Sequence, residues 1–228
     1  MSNIRTVIFD LDDTLIHSGI DSKRMKASLI KFLVKVGVES NLLNESMPNL
    51  EIFRVSAESL RRKNFRENEI KSILERASLI LDGVEMESLG NARLMDGALE
   101  TLLALKRRGF KIGIITNGCR SYASEIIRIF SMEDYIDALV TRDDVDNPKP
   151  SPEHLLKALE ILGVSPNESI FVGDHWIDAL CAKEAGVKFI LLKSGKRGDE
   201  RGSNSKNAEN MAASIISGLR ELLRLLKE

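Results

Sequence analysis

Apolar residues along this chain follow two rhythms. Five short continuous runs, at 6–9, 110–116, 138–141, 169–172 and 188–192, are rich in β-branched or aromatic side chains. They are too short for helices and read as buried strands. Between the later runs, apolar positions recur every three or four residues. Leu99, Leu102, Leu103 and Leu105 form one stripe that stops near Gly109. Ile126, Ile127 and Phe130 mark a second helix over 122–130. Ser151, Pro152 and Glu153 supply a cap and a first-turn proline ahead of Leu155, Leu156 and Leu159, and a last stripe over 177–185 runs up to Gly186. Strands alternating with helices predict an α/β fold, a parallel sheet with helices on both faces.

Residues 18–92 lack strand-like runs. Met25, Leu29, Phe32, Leu33 and Val36 form one helical stripe ending at Gly37. Leu50, Phe53 and Leu60 suggest a second. Ile70, Ile73, Leu74, Ala77 and Leu81 suggest a third, ending at Gly83. The pattern predicts a helical insertion over 18–92 within a core made of 1–17 and 93–228, with hinges at 16–21 and 89–97. The Gly-, Ser- and Lys-rich stretch 193–207 reads as an exposed loop, and 213–226 as an amphipathic terminal helix.

Composition narrows the function classes. Hydrophobic residues make up 43% of 228 residues, enough for a sizeable core. A net charge of -1 gives no basic excess for nucleic acid. No run approaches the roughly 20 apolar residues of a membrane helix, and the acidic N-terminal stretch is unlike a signal peptide. Two cysteines, Cys119 and Cys181, form no disulfide framework or zinc pattern. A cytoplasmic protein with reduced thiols is the expectation.

Four groups of residues could carry chemistry, and each follows an expected strand. Asp10 and Asp12 close the first run. Carboxylates that close repel when both are ionised, and a bound cation relieves the repulsion. Thr116 and Asn117, before Gly118, could bind phosphate oxygens. Lys149 lies between Pro148 and Pro150, which stiffen its backbone; such a lysine can neutralise an anion. Asp174 and Asp178 follow the 169–172 run; Asp174 could cap the next helix, and both offer hard oxygens suited to magnesium. Taken singly, these are a solvated acidic turn, an ordinary turn, a loop lysine and a helix cap. The order DxD, Thr, Lys, GDxxxD is far harder to reach by chance.

In that order, Asp10-Leu11-Asp12-Asp13-Thr14, Thr116, Lys149 and Gly173-Asp174 with Asp178 resemble the four motifs of the haloacid dehalogenase-like superfamily, with its Rossmann-like core. The insertion sits where that family's helical type-one cap belongs, and the phosphoglycolate phosphatase-like branch is the most similar. The resemblance implies that Asp10 attacks phosphorus and becomes an aspartyl phosphate. Asp12 would protonate the leaving oxygen, then activate the hydrolytic water. Mg2+ would be held by Asp10, Asp174 and the backbone carbonyl of Asp12, with Asp178 close by. Thr116 and Asn117 would hold phosphate oxygens, and Lys149 would pair with Asp10 and the transferring group.

The carboxylate at Asp12 favours phosphoryl transfer over dehalogenation, because the dehalogenase branch has none there. Asp13 departs from the glycine of many relatives and reads as a turn residue. His154 reads as a helix-surface residue, His175 as structural, His17 as a residue at the entry to the insertion, and Cys119 as an inert small residue. The expected activity is hydrolysis of a small phosphorylated metabolite by a monomer or small homo-oligomer, without nucleic-acid or membrane partners. Two rivals share parts of the site. A phosphomutase would return the phosphoryl group to a sugar, and a phospho-accepting signalling module would need neither Asp12 nor a cap.

Overall fold

The run Thr-Val-Ile-Phe becomes β1 (Thr6–Phe9), buried on both faces, as its lack of polar alternation requires. A computed structural model describes residues 3–193 and 203–226. Four further runs form β4 (Lys111–Ile115), β5 (Ala138–Val140), β6 (Ser169–Gly173) and β7 (Lys188–Leu192). With β8 (Ser214–Ile216) they make a six-stranded sheet in the order β5-β4-β1-β6-β7-β8, every pair parallel. β1 is central. The chain leaves it toward β4 and β5, then returns to β6 on its other side, so a switch point lies at the carboxyl end of β1.

The helices of this unit are α4 (Ala98–Arg107), α5 (Arg120–Ile129), α6 (Glu153–Leu162), α7 (Trp176–Ala185), α8 (Ser203–Met211) and α9 (Leu219–Leu225). Leu155, Leu159 and Leu162 of α6 and Ala179 and Ala182 of α7 pack on Ile8, Phe171 and Phe189. Gly113 lets α6 approach: a Cβ there would lie 3.2 Å from Leu162 Cδ1 and 3.4 Å from Ile8. Strand alternation sends Val7, Phe9, Ile112 and Ile114 to the opposite face, where α4 packs against β4 and α9. Helices on both faces of a parallel sheet are thus observed.

The chain divides into two units, Met1–Ser18 with Ala92–Glu228, and Gly19–Asn91. The second unit is helical. In α1 (Ser22–Lys35), capped by Asp21, the buried positions are Met25, Leu29 and Leu33. They pack with Ile52 and Leu60 of α2 (Asn49–Arg62) and Ile70, Ala77 and Leu81 of α3 (Glu67–Ser88). Within the first unit, β2 (Ile16–His17) pairs antiparallel with β3 (Arg93–Leu94), a ribbon flanking the 19–91 segment. Two-residue strands have no periodicity to betray them in sequence.

The structure corrects several local expectations. The helix expected to end at Gly83 continues to Ser88, because Val84 and Ser88 extend its buried face. Leu50 is exposed; Leu60 is buried as expected, joined by Ile52 and Ser56, and Phe53 packs partly buried against the same cluster. Ser151 accepts from the Glu153 N–H, yet Pro152 is the N-cap of α6. The expected terminal helix over 213–226 is β8 followed by α9: Ile215 and Ile216 are β-branched, and Gly218 separates strand from helix. Helix α8 occupies part of the expected loop; residues 194–202 of that loop lie outside the described residues. No helix among the described residues is long and apolar enough to cross a membrane.

Candidate active site

Three adjacent strands end side by side, and each hands its next residues to the same rim. β1 is followed by Asp10, whose N–H extends the ladder to Val172 O at 2.9 Å. β4 is followed by Thr116, bonded to Val140 O at 3.0 Å. β6 ends at Gly173, and Asp174 follows. Beyond Asp12 the chain turns sharply at Asp13, with φ of +58°. Left-handed backbone costs most residues about 1–2 kcal/mol and is tolerated by Asp.

Lys149, 4% exposed, is the hub. Its Nζ donates to Asp10 Oδ1 at 2.5 Å and Asp178 Oδ1 at 2.7 Å, with Ile115 O at 3.4 Å. Its backbone is fixed at both ends. The N–H donates to His154 Nδ1 at 3.1 Å, and the carbonyl accepts from Asn117 Nδ2 at 2.9 Å. Asn117 is itself exposed, and its own carbonyl accepts from Arg142. One of its amide protons therefore helps orient the lysine loop.

Helix α7 delivers Asp178. The cap of this helix is His175, and Asp174 does not cap it. His175 Nδ1 accepts from Ile177 N–H at 3.3 Å, and Asp178 Oδ2 reaches back to the His175 N–H at 3.2 Å. This reciprocal arrangement leaves Asp178 Oδ1 for Lys149. It also explains Gly173, where a Cβ would fall 2.6 Å from Asp178 Oδ2. Any side chain at 173 would displace the carboxylate.

Asp10, Asp174 and Asp178 can place one oxygen each within 4.8 Å of one another. Burial raises the carboxyl of Asp10 well above its ordinary range; Lys149 opposes this, while Asp178, Asp174 and Asp12 add to it. Burial acts to lower the Lys149 ammonium, but Asp10 and Asp178 outweigh it and raise it, so the lysine stays charged. Two carboxylates contact the ammonium and Asp174 adds a third beside them, so acidic oxygens outnumber the cation at this rim. Hard oxygens short of positive charge fit a divalent cation such as magnesium.

Asp12 faces another way. Its Oδ1 accepts from the Tyr122 hydroxyl at 2.8 Å, and its Oδ2 from Thr116 Oγ1 at 3.2 Å. The two motif aspartates are thus sorted: Asp10 turned to the lysine and the other carboxylates, Asp12 held apart by neutral hydroxyls. Sequence reading saw Tyr122 only as a residue near a buried helical stripe. The signal available was that a buried tyrosine hydroxyl needs a partner.

His154, expected on a helix surface, is fully buried. It sits on the core face of α6, where Lys149 N–H gives it a reason to be polar. Burial first, then the Lys149 charge, lowers its pKa to about 4 from an ordinary 6.5. Between those values the unfolded chain takes up a proton that the folded chain refuses. Stability is full above pH 6.5 and falls as pH drops through the window, by about 3 kcal/mol. We expect His154→Asn, which keeps an acceptor for Lys149, to lose that acid sensitivity in urea unfolding between pH 4 and 7. An unchanged pH slope would refute the assignment. Cys181, donating to Ser151 O, is pushed up to about 12 by burial and is inert at neutral pH.

A family model described as haloacid dehalogenase-like hydrolase matches residues 7–192. A Halalkalibacterium halodurans protein named pyrophosphatase PpaX is 39% identical over 105 residues, 46% of this chain and 49% of that one. The match thus spans about half the length of that relative. A Clostridium perfringens protein provisionally given the same name is 32% identical over 83% of this chain and 84% of its own. Among solved structures, a Geobacter sulfurreducens HAD-superfamily hydrolase of subfamily IA shares 26% identity, with a TM-score of 0.62, over 97% of this chain and 99% of that one.

Proposed function

This chain belongs to the haloacid dehalogenase-like hydrolases, and from that premise we propose that it is a magnesium-dependent phosphatase acting on a small phosphorylated metabolite through an aspartyl phosphate on Asp10. The sorting of its two motif aspartates carries the reading. Asp10 is buried and paired to Lys149 at 2.5 Å, the setting of a nucleophile held in one orientation by a cationic partner at the rim against burial that disfavours its charge. Asp12 is half-buried and bonded to hydroxyls, the setting of a group that exchanges a proton.

In this reading Asp10 attacks phosphorus while Asp12 delivers a proton to the departing oxygen. Asp12 then takes a proton from the water that cleaves the aspartyl phosphate. Lys149 keeps the attacking carboxylate aimed and offsets charge on the transferring group. Thr116 and Asn117 orient phosphate oxygens. Asp10, Asp174 and Asp178, with the Asp12 backbone carbonyl, would hold Mg2+. When bound, the ion would offset carboxylate repulsion and let an anionic nucleophile meet an anionic phosphate. Residues 18–92 would select the substrate. The phosphoglycolate phosphatase-like resemblance nominates phosphoglycolate, and the relatives' names nominate pyrophosphate.

The test is phosphate release from a panel of phosphomonoesters and pyrophosphate, with Mg2+ and with chelator. Release only with Mg2+ is expected. The ion should also raise the melting temperature. A hundredfold excess over Kd is worth about 2.7 kcal/mol, roughly 5–10 °C for a chain of this size. Asp174→Asn should abolish most of that shift. Equal release in chelator, or the full shift in Asp174→Asn, would sink the metal assignment.

A further inference from the structure

We propose that Tyr122 is a positioning residue that holds the Asp12 carboxyl in the orientation from which it serves the leaving oxygen; this rests on the acid/base reading of Asp12. Tyr122 is fully buried in the first turn of α5. Its position is built by three neighbours. Cys119 Sγ caps α5 by accepting the Tyr122 N–H at 3.5 Å. Gly118 leaves room for the ring: a Cβ there would lie 3.1 Å from Tyr122 Cδ1 and 3.3 Å from Thr116 Oγ1. The Gly118 N–H donates to Thr116 Oγ1 at 2.9 Å, which fixes that hydroxyl beside the same carboxylate.

The two oxygens of Asp12 are not equivalent in this frame. The phenol donates to Oδ1 across 2.8 Å, the shorter contact, from a fully buried ring. Thr116 stands 3.2 Å from Oδ2, and a threonine hydroxyl can rotate its proton away while continuing to accept from Gly118. Oδ1 is therefore the anchored oxygen and Oδ2 the more loosely held one.

When Asp10 attacks, an Asp10–phosphorus bond forms and the bond from phosphorus to the leaving oxygen breaks. The electron pair passes to that oxygen, which takes the proton from the Asp12 carboxyl and leaves as an alcohol. Asp12 becomes a carboxylate with Tyr122 still bound to Oδ1. Without the phenol, the side chain loses its anchor.

Tyr122→Phe keeps the ring and removes only the hydroxyl. Its kcat/KM should be compared with wild type on p-nitrophenyl phosphate, whose leaving group needs no proton, and on the best alkyl phosphomonoester of the panel, whose leaving group does. We expect a loss of about tenfold or more on the alkyl ester and less than about threefold on the aryl ester. Equal losses on both would reduce Tyr122 to a packing residue and overturn the proposal, as would no loss on the alkyl ester. Asp12→Asn is the separating control: if it retains alkyl turnover, the acid/base reading itself has failed. A crystal structure of wild type with Mg2+ and aluminium fluoride tests the same point without a variant. The proposal requires Tyr122 bonded to Asp12 while the carboxyl faces the apical ligand, and a carboxyl that reaches that ligand with Tyr122 detached refutes it.

Discussion

Asp10→Asn is expected to abolish turnover, by at least about four orders of magnitude in kcat, or about 5.5 kcal/mol of barrier. An amide cannot accept the phosphoryl group under conditions where the carboxylate does. Incubation with labelled substrate should leave no phosphate on the variant protein. The fold should survive. Burial and three neighbouring carboxylates disfavour the Asp10 charge, and Lys149 keeps Asp178 at 2.7 Å when that charge is removed. The melting temperature of the variant should therefore be no lower than that of wild type. A phosphorylated Asp10→Asn protein would show that the nucleophile lies elsewhere.

Asp12→Ala is expected to cost about 10²- to 10⁴-fold in steady-state turnover, the range of a positioned proton donor. Its two half-reactions should separate. With p-nitrophenyl phosphate the first step needs no acid, so the variant should release nitrophenol in a burst equal to the enzyme present and then stall. The stall reflects the missing base for the hydrolytic water. A variant with full steady-state activity and no burst would end the acid/base assignment. The rival phospho-accepting module predicts a long-lived phosphoprotein in wild type as well, so the wild-type lifetime separates the two readings.

Strand and helix placement was legible because burial imposes it locally. A run such as Val7-Ile8-Phe9 between polar neighbours can be satisfied only as a strand covered on both faces. The stripes of α1 and α6 can hide their leucines only as helices. The candidate site residues were legible for a related reason. Asp10, Asp12, Thr116, Asp174 and Asp178 sit at or near strand ends, and in a parallel sheet those ends share one rim. The ordered motifs fixed the family resemblance without knowledge of any distance.

Errors arose where a residue's role depends on what lies opposite it in space. Nothing in Glu153-His154-Leu155 says that the imidazole faces inward to accept Lys149 N–H, 3.1 Å away. Nor does Gly173-Asp174-His175 reveal that the histidine caps the helix while Asp178 turns back to it. The phenol of Tyr122 meets Asp12 across 110 residues of chain. Local periodicity reports the face a residue presents, because it depends only on neighbours in sequence. Hydrogen bonds between distant segments depend on how the sheet brings them together, and only the tertiary structure decides that.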